Sequence, residues 1–484
     1  MKDAIVIGSG IAGLSSALRL QSQGYSVTII EKNSFIGGKT SLINNKYNSF
    51  NLTATMPILS KSLFELFNEI GEDLNYYIKY QRLDPFCKAF FKDGTSFEFS
   101  SDLKNLSENL SNEDFEDYLD LICDAKDIYS NKSFNTPNFK LSFRSLYNKV
   151  KSTNLSNTYN YFRNHLSNQN LVEALTFQSM QIGTSPFKYF TSSSLMPLIN
   201  SIEGFIEIEG GINSFVKALS KVFLKRGGKY LLKTEVKSLN FKNNTCIGVS
   251  TNSGKTLNSS IVLCTSNFQY TLNNLIPQKF NTENYAFSKL EKEHIASSRF
   301  VLYLSIKKEF PQLSTHNIFI NKDFKENINA CFKCDIPKNP HLYVYKDSFK
   351  KGITNMSVIL NVPNLLYLNE DFWTKDNIFK IEDLIFRTLE DFFKVRQLST
   401  FILDKISISP ITYKKLFNTC NGNFYQTYPN NSNLDFSKPT CKIEGINNLY
   451  FAGESINFGS GIFNVLKSSK IAVKTLIDDI KIRK

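Results

Sequence analysis

A short apolar run, Ala4-Ile5-Val6-Ile7, leads into Gly8-Ser9-Gly10-Ile11-Ala12-Gly13, and the acid Glu31 follows a second run containing Val27, Ile29 and Ile30. Glycine at the first position permits a tight turn out of a strand. The second lets backbone approach a ligand without an intervening Cβ, and the third lets a helix pack closely on a sheet. A helix that starts there offers its first amides and the positive end of its dipole to phosphates. Glu31 stands where a carboxylate can hydrogen-bond a ribose diol and disfavour a 2′-phosphate. Together these residues make a dinucleotide site. Gly37-Gly38-Lys39 favours FAD over NAD, because a second glycine pair followed by a cation is more typical of flavoproteins that use this unit. Ile11, Ala12 and Lys32 fall in the same cofactor-binding stretch. Lys39 could neutralise a phosphate, or be an ordinary surface lysine.

The elements that must position these groups follow from periodicity. A strand, a glycine turn, an apolar helix and a second strand make the opening unit. A hairpin-like stretch then reaches Phe50, and Leu63, Leu66, Phe67 and Ile70 recur at helical spacing behind Ser60 or Ser62 and stop at Gly71. Asp93-Gly94 between Phe90-Phe91 and Phe97 predicts a β-hairpin. From about 101 to 197 the texture is that of polar helices, one of them led by Ser111. A strand at 205–209 precedes Gly210-Gly211 and a helix through Phe215, Val216, Leu219 and Val222. Thr234-Glu235-Val236 and Ile261-Val262-Leu263-Cys264 read as buried strands of the opening sheet, with a small meander between them. Strands at 300–304 and 357–360 suggest a separate mixed sheet. Leu449-Tyr450-Phe451 and a terminal helix carrying Val465, Ala472 and Leu476 would supply a second cofactor-facing segment.

The chain of 484 residues, 42% hydrophobic and 21% charged, is globular and too long for one compact core. Its 57 Lys and Arg against 44 Asp and Glu give +13, a balance that suits nucleic acid, an anionic membrane surface or an anionic ligand. Nucleic acid is disfavoured, since no basic run is interleaved with stacking aromatics. Compositional drift is the bland alternative, because 42 Phe against one Trp, with many Asn, Lys and Ile, suggest an AT-biased genome. No uncharged apolar stretch reaches eighteen residues and no signal peptide is visible, so a cytoplasmic protein is expected. Among the cysteines only Cys331 and Cys334 have ligand-like spacing. Without a second such pair they read as reduced structural thiols, and no metal site is expected. Glu207 and Glu209, beside Gly210-Gly211, could stabilise a transient cation or be solvated strand-edge acids. No catalytic acid or base is assigned.

Several segments, in order, carry a family resemblance: the opening motif through Lys39, Leu83-Asp84-Pro85-Phe86, Phe177-Gln178-Ser179, Gly183-Thr184-Ser185-Pro186-Phe187, Gly210-Gly211, His316-Asn317-Ile318-Phe319, Leu342-Tyr343-Val344, Val362-Pro363-Asn364-Leu365, and Leu449 to Ile462. Over nearly its whole length the chain resembles the phytoene desaturase family, bacterial-type carotenoid desaturases of the FAD-dependent amine oxidase superfamily. The resemblance implies an α/β protein with a Rossmann-like FAD-binding domain assembled from 1–75, 205–270 and 440–484. It implies a mixed-sheet substrate domain at 76–100 and 271–439, and a helical lid or membrane-contact subdomain at 101–204. It also implies a non-covalent FAD, peripheral attachment to a membrane, and a tunnel for a long hydrophobic isoprenoid or carotenoid. In such enzymes a hydride passes to the flavin and a proton leaves the neighbouring carbon.

By position, Gly8, Gly10 and Gly13 would contact the pyrophosphate and Glu31 the adenosine ribose, while Lys39 takes the place of the usual arginine. Gly38 belongs to that segment. Val236 would hold adenine through its backbone. Gly453 and Glu454 would lie beside the ribityl chain, and the Ile462 amide, after Gly461, would face the flavin. Two segments depart from the family pattern: Asn51 to Thr55, where many relatives have Asp-Ala-Gly-Pro-Thr, and Asn457 to Phe463, where they have His-Pro-Gly-Ala-Gly-Ile-Pro. The leading reading is desaturation of phytoene or a related precursor. The alternatives are carotenoid isomerisation, a later desaturation step or retinol saturation, or a non-catalytic prenyl-binding escort. Oligomeric state is open. The basic tail of Lys481, Arg483 and Lys484 fits anionic lipid.

Overall fold

The computed structural model describes residues 2–53, 60–130, 157–180, 183–190, 192–280, 296–347, 352–425, 439–456 and 459–482. Ala54 and Thr55, Asn457 and Phe458, His294, and Arg483 and Lys484 therefore lie outside the described residues.

The opening apolar run forms the strand Asp3–Ile7, which sits at the centre of a five-stranded sheet. Its neighbours are Ile261–Cys264 on one side and Ser26–Ile30 on the other, with Leu449–Phe451 and Lys229–Leu231 at the edges. Every pairing in this sheet is parallel. Such strands are covered on both faces, which is why Ile261–Cys264 and Leu449–Phe451 are buried throughout. The helix Ile11–Ser22 follows the glycine turn and packs against Ile462–Ile482 and Ile212–Lys225. Gly13 inside it costs about 1 kcal/mol of helix propensity. Fully buried Leu14 and Leu18, each contributing roughly 2 kcal/mol, outweigh that.

The position expected for Val236 requires correction. Its strand, Val236–Lys242, is not in the parallel sheet but forms an antiparallel meander with Thr245–Thr251 and Thr256–Asn258. The reason is visible in its burial, which is broken along the strand, whereas Ile261–Cys264 is buried at every residue. The place at the sheet edge belongs instead to Lys229–Leu231, hidden from periodicity by its length of 3 residues. The strand Phe205–Ile208 also stands apart, pairing antiparallel with Tyr80–Leu83.

The second sheet has seven strands in the order Ile402–Ile408, Ser298–Ile306, Thr354–Val362, Leu342–Asp347, His316–Ile320, Cys87–Phe91, Ser96–Phe99. It is mixed, as expected: His316–Ile320 runs parallel to Cys87–Phe91 and the other pairings are antiparallel. One face carries Phe300, Leu302, Leu304, Met356, Val358 and Leu360, which share a core with Ile381, Ile385 and Leu389 of the helix Lys375–Phe393. The other face shares a core with the expected polar helices through Tyr118, Phe162, Leu171, Leu175 and Phe177. Local capping starts those helices. The Asp114 amide donates to Ser111 Oγ at 3.1 Å, and Asn157 and Asn168 cap the next two described helices.

Candidate cofactor site

The glycine turn is fixed by contacts that tolerate no side chain at two of its three positions. The Gly8 amide donates to Ile30 O at 2.8 Å, and φ is +99°. A Cβ on Gly13 would stand 1.9 Å from Gly8 O, so this helix can meet the strand only as glycine. Gly10 differs: its φ of −70° suits any residue, and a Cβ there would meet nothing within 4 Å. The chain therefore keeps open space above Gly10 next to the start of Ile11–Ser22. That helix has no side-chain cap and no acid in its first turn, so the Ile11, Ala12 and Gly13 amides present an unopposed positive end.

Glu31 is buried beneath the turn. Its Oε2 accepts from the Ser9 amide at 3.0 Å and from Ser9 Oγ at 2.8 Å, while Oε1 accepts from the Asn33 amide at 2.9 Å and from Asn33 Nδ2 at 3.0 Å. Two backbone amides and two side-chain donors thus fix the carboxylate. The Glu31 carbonyl accepts from the Thr234 amide at 2.9 Å, which brings the start of the Val236 strand alongside. Lys32 points elsewhere: its ammonium donates to Lys415 O at 2.9 Å, at the end of the helix Pro410–Phe417.

Gly37 and Gly38 fold back on the first turn. The Gly37 amide donates to Ser9 O at 2.9 Å, Gly37 forms an isolated bridge with Gly10, and a Cβ on Gly38 would lie 3.4 Å from Gly10 Cα. Lys39 forms an ion pair with Glu454 and also donates to Phe424 O. Glu454 accepts in addition from Ser460 Oγ at 3.3 Å. Gly453, with φ +122°, would place a Cβ 3.7 Å from that of Ala12. Gly461, with φ +105°, turns the chain into Ile462–Ile482, whose first residue is Ile462. Both ends of the sequence thus meet at one place. A buried polar joint locks them: Ser469 Oγ lies 2.9 Å from Ser15 Oγ and 3.0 Å from Ser16 Oγ and accepts from Arg19 Nη1 at 2.8 Å.

Sequence reasoning missed several contributors. Ser9 and Asn33 hold Glu31. Thr265 supports the turn from below, its Oγ1 donating to Ile7 O at 2.8 Å. Arg299 is buried at 3% exposure, with its guanidinium 4.6 Å from the Phe424 ring and 4.4 Å from the Tyr425 ring, and burial pushes it down to about 10. Phe424 also serves Lys39, whose ammonium is 5.2 Å from the same ring. Ser9, between Gly8 and Gly10, was the one with a signal in the sequence. The two neighbouring acids also separate: Glu207 is buried at 7% exposure, not a solvated edge residue, whereas Glu209 is exposed. Burial pushes His316 down to about 3 and His341 to about 4, so both are neutral imidazoles near pH 7.

A parallel sheet with a glycine turn, an uncapped helix start and an anchored acid defines a dinucleotide-binding protein. The open space above Gly10 and the donor set around it fit the pyrophosphate and ribose of FAD. The family model for flavin containing amine oxidoreductases matches residues 11–329. The chain belongs to that family, and its cofactor is FAD. It is 26% identical over 497 residues to a 4,4′-diapophytoene desaturase of Staphylococcus haemolyticus, covering 98% of this chain and 99% of that one. It is 30% identical over 517 residues to a phytoene desaturase of Fusarium fujikuroi, covering 99% of this chain and 90% of the relative. Among solved structures, a putrescine oxidase triple mutant superposes with a TM-score of 0.68 at 10% identity, over 99% of each chain, a likeness of fold. No helix among the described residues is long and apolar enough to cross a membrane.

Proposed function

We propose that this enzyme desaturates a long hydrophobic isoprenoid, phytoene or a related carotenoid precursor. The observation that carries the reading is end-to-end similarity to two carotenoid desaturases from distant organisms, joined to a site whose parts suit the same cofactor. The bound flavin supplies the two-electron acceptor for a C–H bond that no protein side chain could oxidise. The protein contributes position and dryness. Gly8, Gly10 and Gly13 would cradle the pyrophosphate on the helix start, Glu31 would accept from the ribose diol, and the Val236 backbone would border the adenine. Lys39 and Glu454, paired with each other, would balance charge beside the phosphates and ribityl hydroxyls, and Gly461 with Ile462 would close the flavin end.

In this reading 1–75, 205–270 and 440–484 serve the cofactor, 76–100 and 271–439 form the substrate wall, and the helices of 101–204 cover it. Peripheral membrane attachment is the route by which so apolar a substrate enters. Exposed Tyr76, Tyr80 and Leu103, in a stretch that also holds Lys79, Arg82 and Lys104, support this. The test is expression in a bacterium that accumulates phytoene, with pigments resolved by chromatography. New conjugated products are expected. Unchanged phytoene beside abundant, flavin-loaded protein would remove phytoene as the substrate.

A further inference from the structure

The segment from Pro410 to Tyr425 is tied to the seven-stranded sheet and to the stretch assigned to FAD. It begins as the helix Pro410–Phe417 and continues through Asn418 and Asn421, whose φ values of +51° and +52° are left-handed. The two parts close on each other, since a Cβ on Gly422 would stand 2.4 Å from Pro410 O. On the sheet side Ser298 Oγ donates to Gly422 O at 2.7 Å and the Leu365 amide to Asn421 O at 2.8 Å. The Tyr413 and Phe424 rings, 5.1 Å apart, join the core on the face toward the helices.

On the cofactor side the ties are side chains that follow Glu31. Lys32 Nζ donates to Lys415 O at 2.9 Å and to Asn418 Oδ1, Asn33 Nδ2 donates to Leu416 O at 3.1 Å, and Lys39 Nζ donates to Phe424 O. Lys415 O and Leu416 O are among the last carbonyls of their helix, which lack intrahelical donors and carry the negative end of the dipole, so a cation and an amide suit them. Asn33 is the joint. Its Nδ2 also donates to Glu31 Oε1 at 3.0 Å, so one side chain serves the carboxylate assigned to the ribose and the helix end. Lys39 repeats the arrangement between Glu454 and Phe424. A ligand that fixes residues 31–39 removes part of the ordering cost of docking the segment, and the docked segment returns the same factor in ligand affinity.

We propose that residues 410–425 form a strap whose docking is tightened by FAD, with Lys32, Asn33 and Lys39 as the positioning residues that transmit the effect. Phe424, near the end of the strap, stands against Arg299 of the sheet, so cofactor binding is felt on the sheet itself. The proposal depends on FAD at the glycine turn and not on which isoprenoid the enzyme takes.

The test is hydrogen exchange of the full-length protein, read by mass spectrometry of its peptides, without FAD and with FAD at saturation. Peptides covering 411–425 are expected to exchange about five- to tenfold more slowly with FAD, an ordinary size for coupling between two sites. The helix Lys375–Phe393, which belongs to the core on the opposite face of the sheet, should hardly change. In the double variant Lys32→Met, Asn33→Ala the ratio over 411–418 should fall toward one. A loss of stability common to both states leaves that ratio unmoved, which separates transmission from a merely structural role. Asn418→Gly keeps the left-handed backbone, removes one acceptor of Lys32, lowers the ratio by about half, and serves if the double variant does not fold. Equal exchange of the wild-type strap in the two states would overturn the proposal. So would slowing shared equally with Lys375–Phe393, or a full ratio in the variants.

Discussion

Replacing Gly10 and Gly13 separately with alanine distinguishes a glycine kept for the ligand from one kept for the fold. At Gly13 the new methyl carbon would be placed 1.9 Å from the Gly8 carbonyl oxygen, an overlap removed only by lifting the helix from the strand. Such overpacking costs about 1–3 kcal/mol or more, and it acts with or without cofactor. At Gly10 the methyl meets nothing within 4 Å and φ is −70°. The loss of a favourable N-cap glycine and the gain from a stiffer unfolded chain are each a few tenths to about 1 kcal/mol and oppose one another. Apoprotein stability should therefore hardly move. The same methyl would occupy the space we assign to the pyrophosphate, and we expect FAD affinity to fall about a hundredfold, roughly 2.7 kcal/mol. At a fixed excess of free FAD that stabilisation is missing from the holoprotein. With an unfolding entropy near 1 kcal/mol per kelvin for 484 residues, the Tm of Gly10→Ala should trail wild type by roughly 3 °C with FAD and by almost nothing without it. Thermal unfolding of each variant with and without FAD, beside a flavin fluorescence titration, measures both. If Gly10→Ala retains wild-type FAD affinity, or destabilises the apoprotein as much as Gly13→Ala does, the assignment of the open space to a ligand is wrong.

Three further outcomes are expected. Glu31→Ala leaves two amides and two side chains without their acceptor, and should cost the apoprotein roughly 2 kcal/mol or more, measured by urea unfolding, in addition to weakening FAD. Lys39→Met unpairs Glu454 and should weaken FAD severalfold with little change in apoprotein stability, since the pair is only partly buried; a flavin titration decides. His316 and His341 have folded-state values of about 3 and about 4, below an unfolded value near 6.5, so the unfolded chain binds more protons in the window between. Stability should hence fall as pH drops below about 6.5, by up to about 1.4 kcal/mol per pH unit for each histidine. Urea unfolding at pH 7 and 5.5 tests it. In His316→Gln about half of that slope should vanish, and an unchanged slope would assign the acid sensitivity elsewhere.

What was legible in the sequence depended on whether one short stretch carried its own physical reason. Gly8, Gly10 and Gly13 could be read because each answers a separate steric demand within one turn. The hairpin at Asp93-Gly94 and the helix behind Ser111 were equally local. The strand Lys229–Leu231 was not, since 3 residues show no period and its role comes wholly from its neighbour Ser26–Ile30. Val236 misled for the opposite reason: an apolar residue after a turn looks the same in a parallel edge and in a meander, and only its partner, Thr251, distinguishes them. Arg299 and Glu207 were illegible as buried groups, because charge predicts exposure unless the partners are known. The partners of Arg299, Phe424 and Tyr425, stand more than a hundred residues away, and those of Glu207, Gln81 and Tyr345, lie on either side of it at comparable separations. Lys39 and Glu454 show how such groups can still be found. Each was singled out for a cofactor, each from its own end of the chain, and the fold joins them in one ion pair. Two residues assigned independently to the same part of one ligand must lie near each other, so a chemical hypothesis about that ligand already predicts a contact that no periodicity could supply.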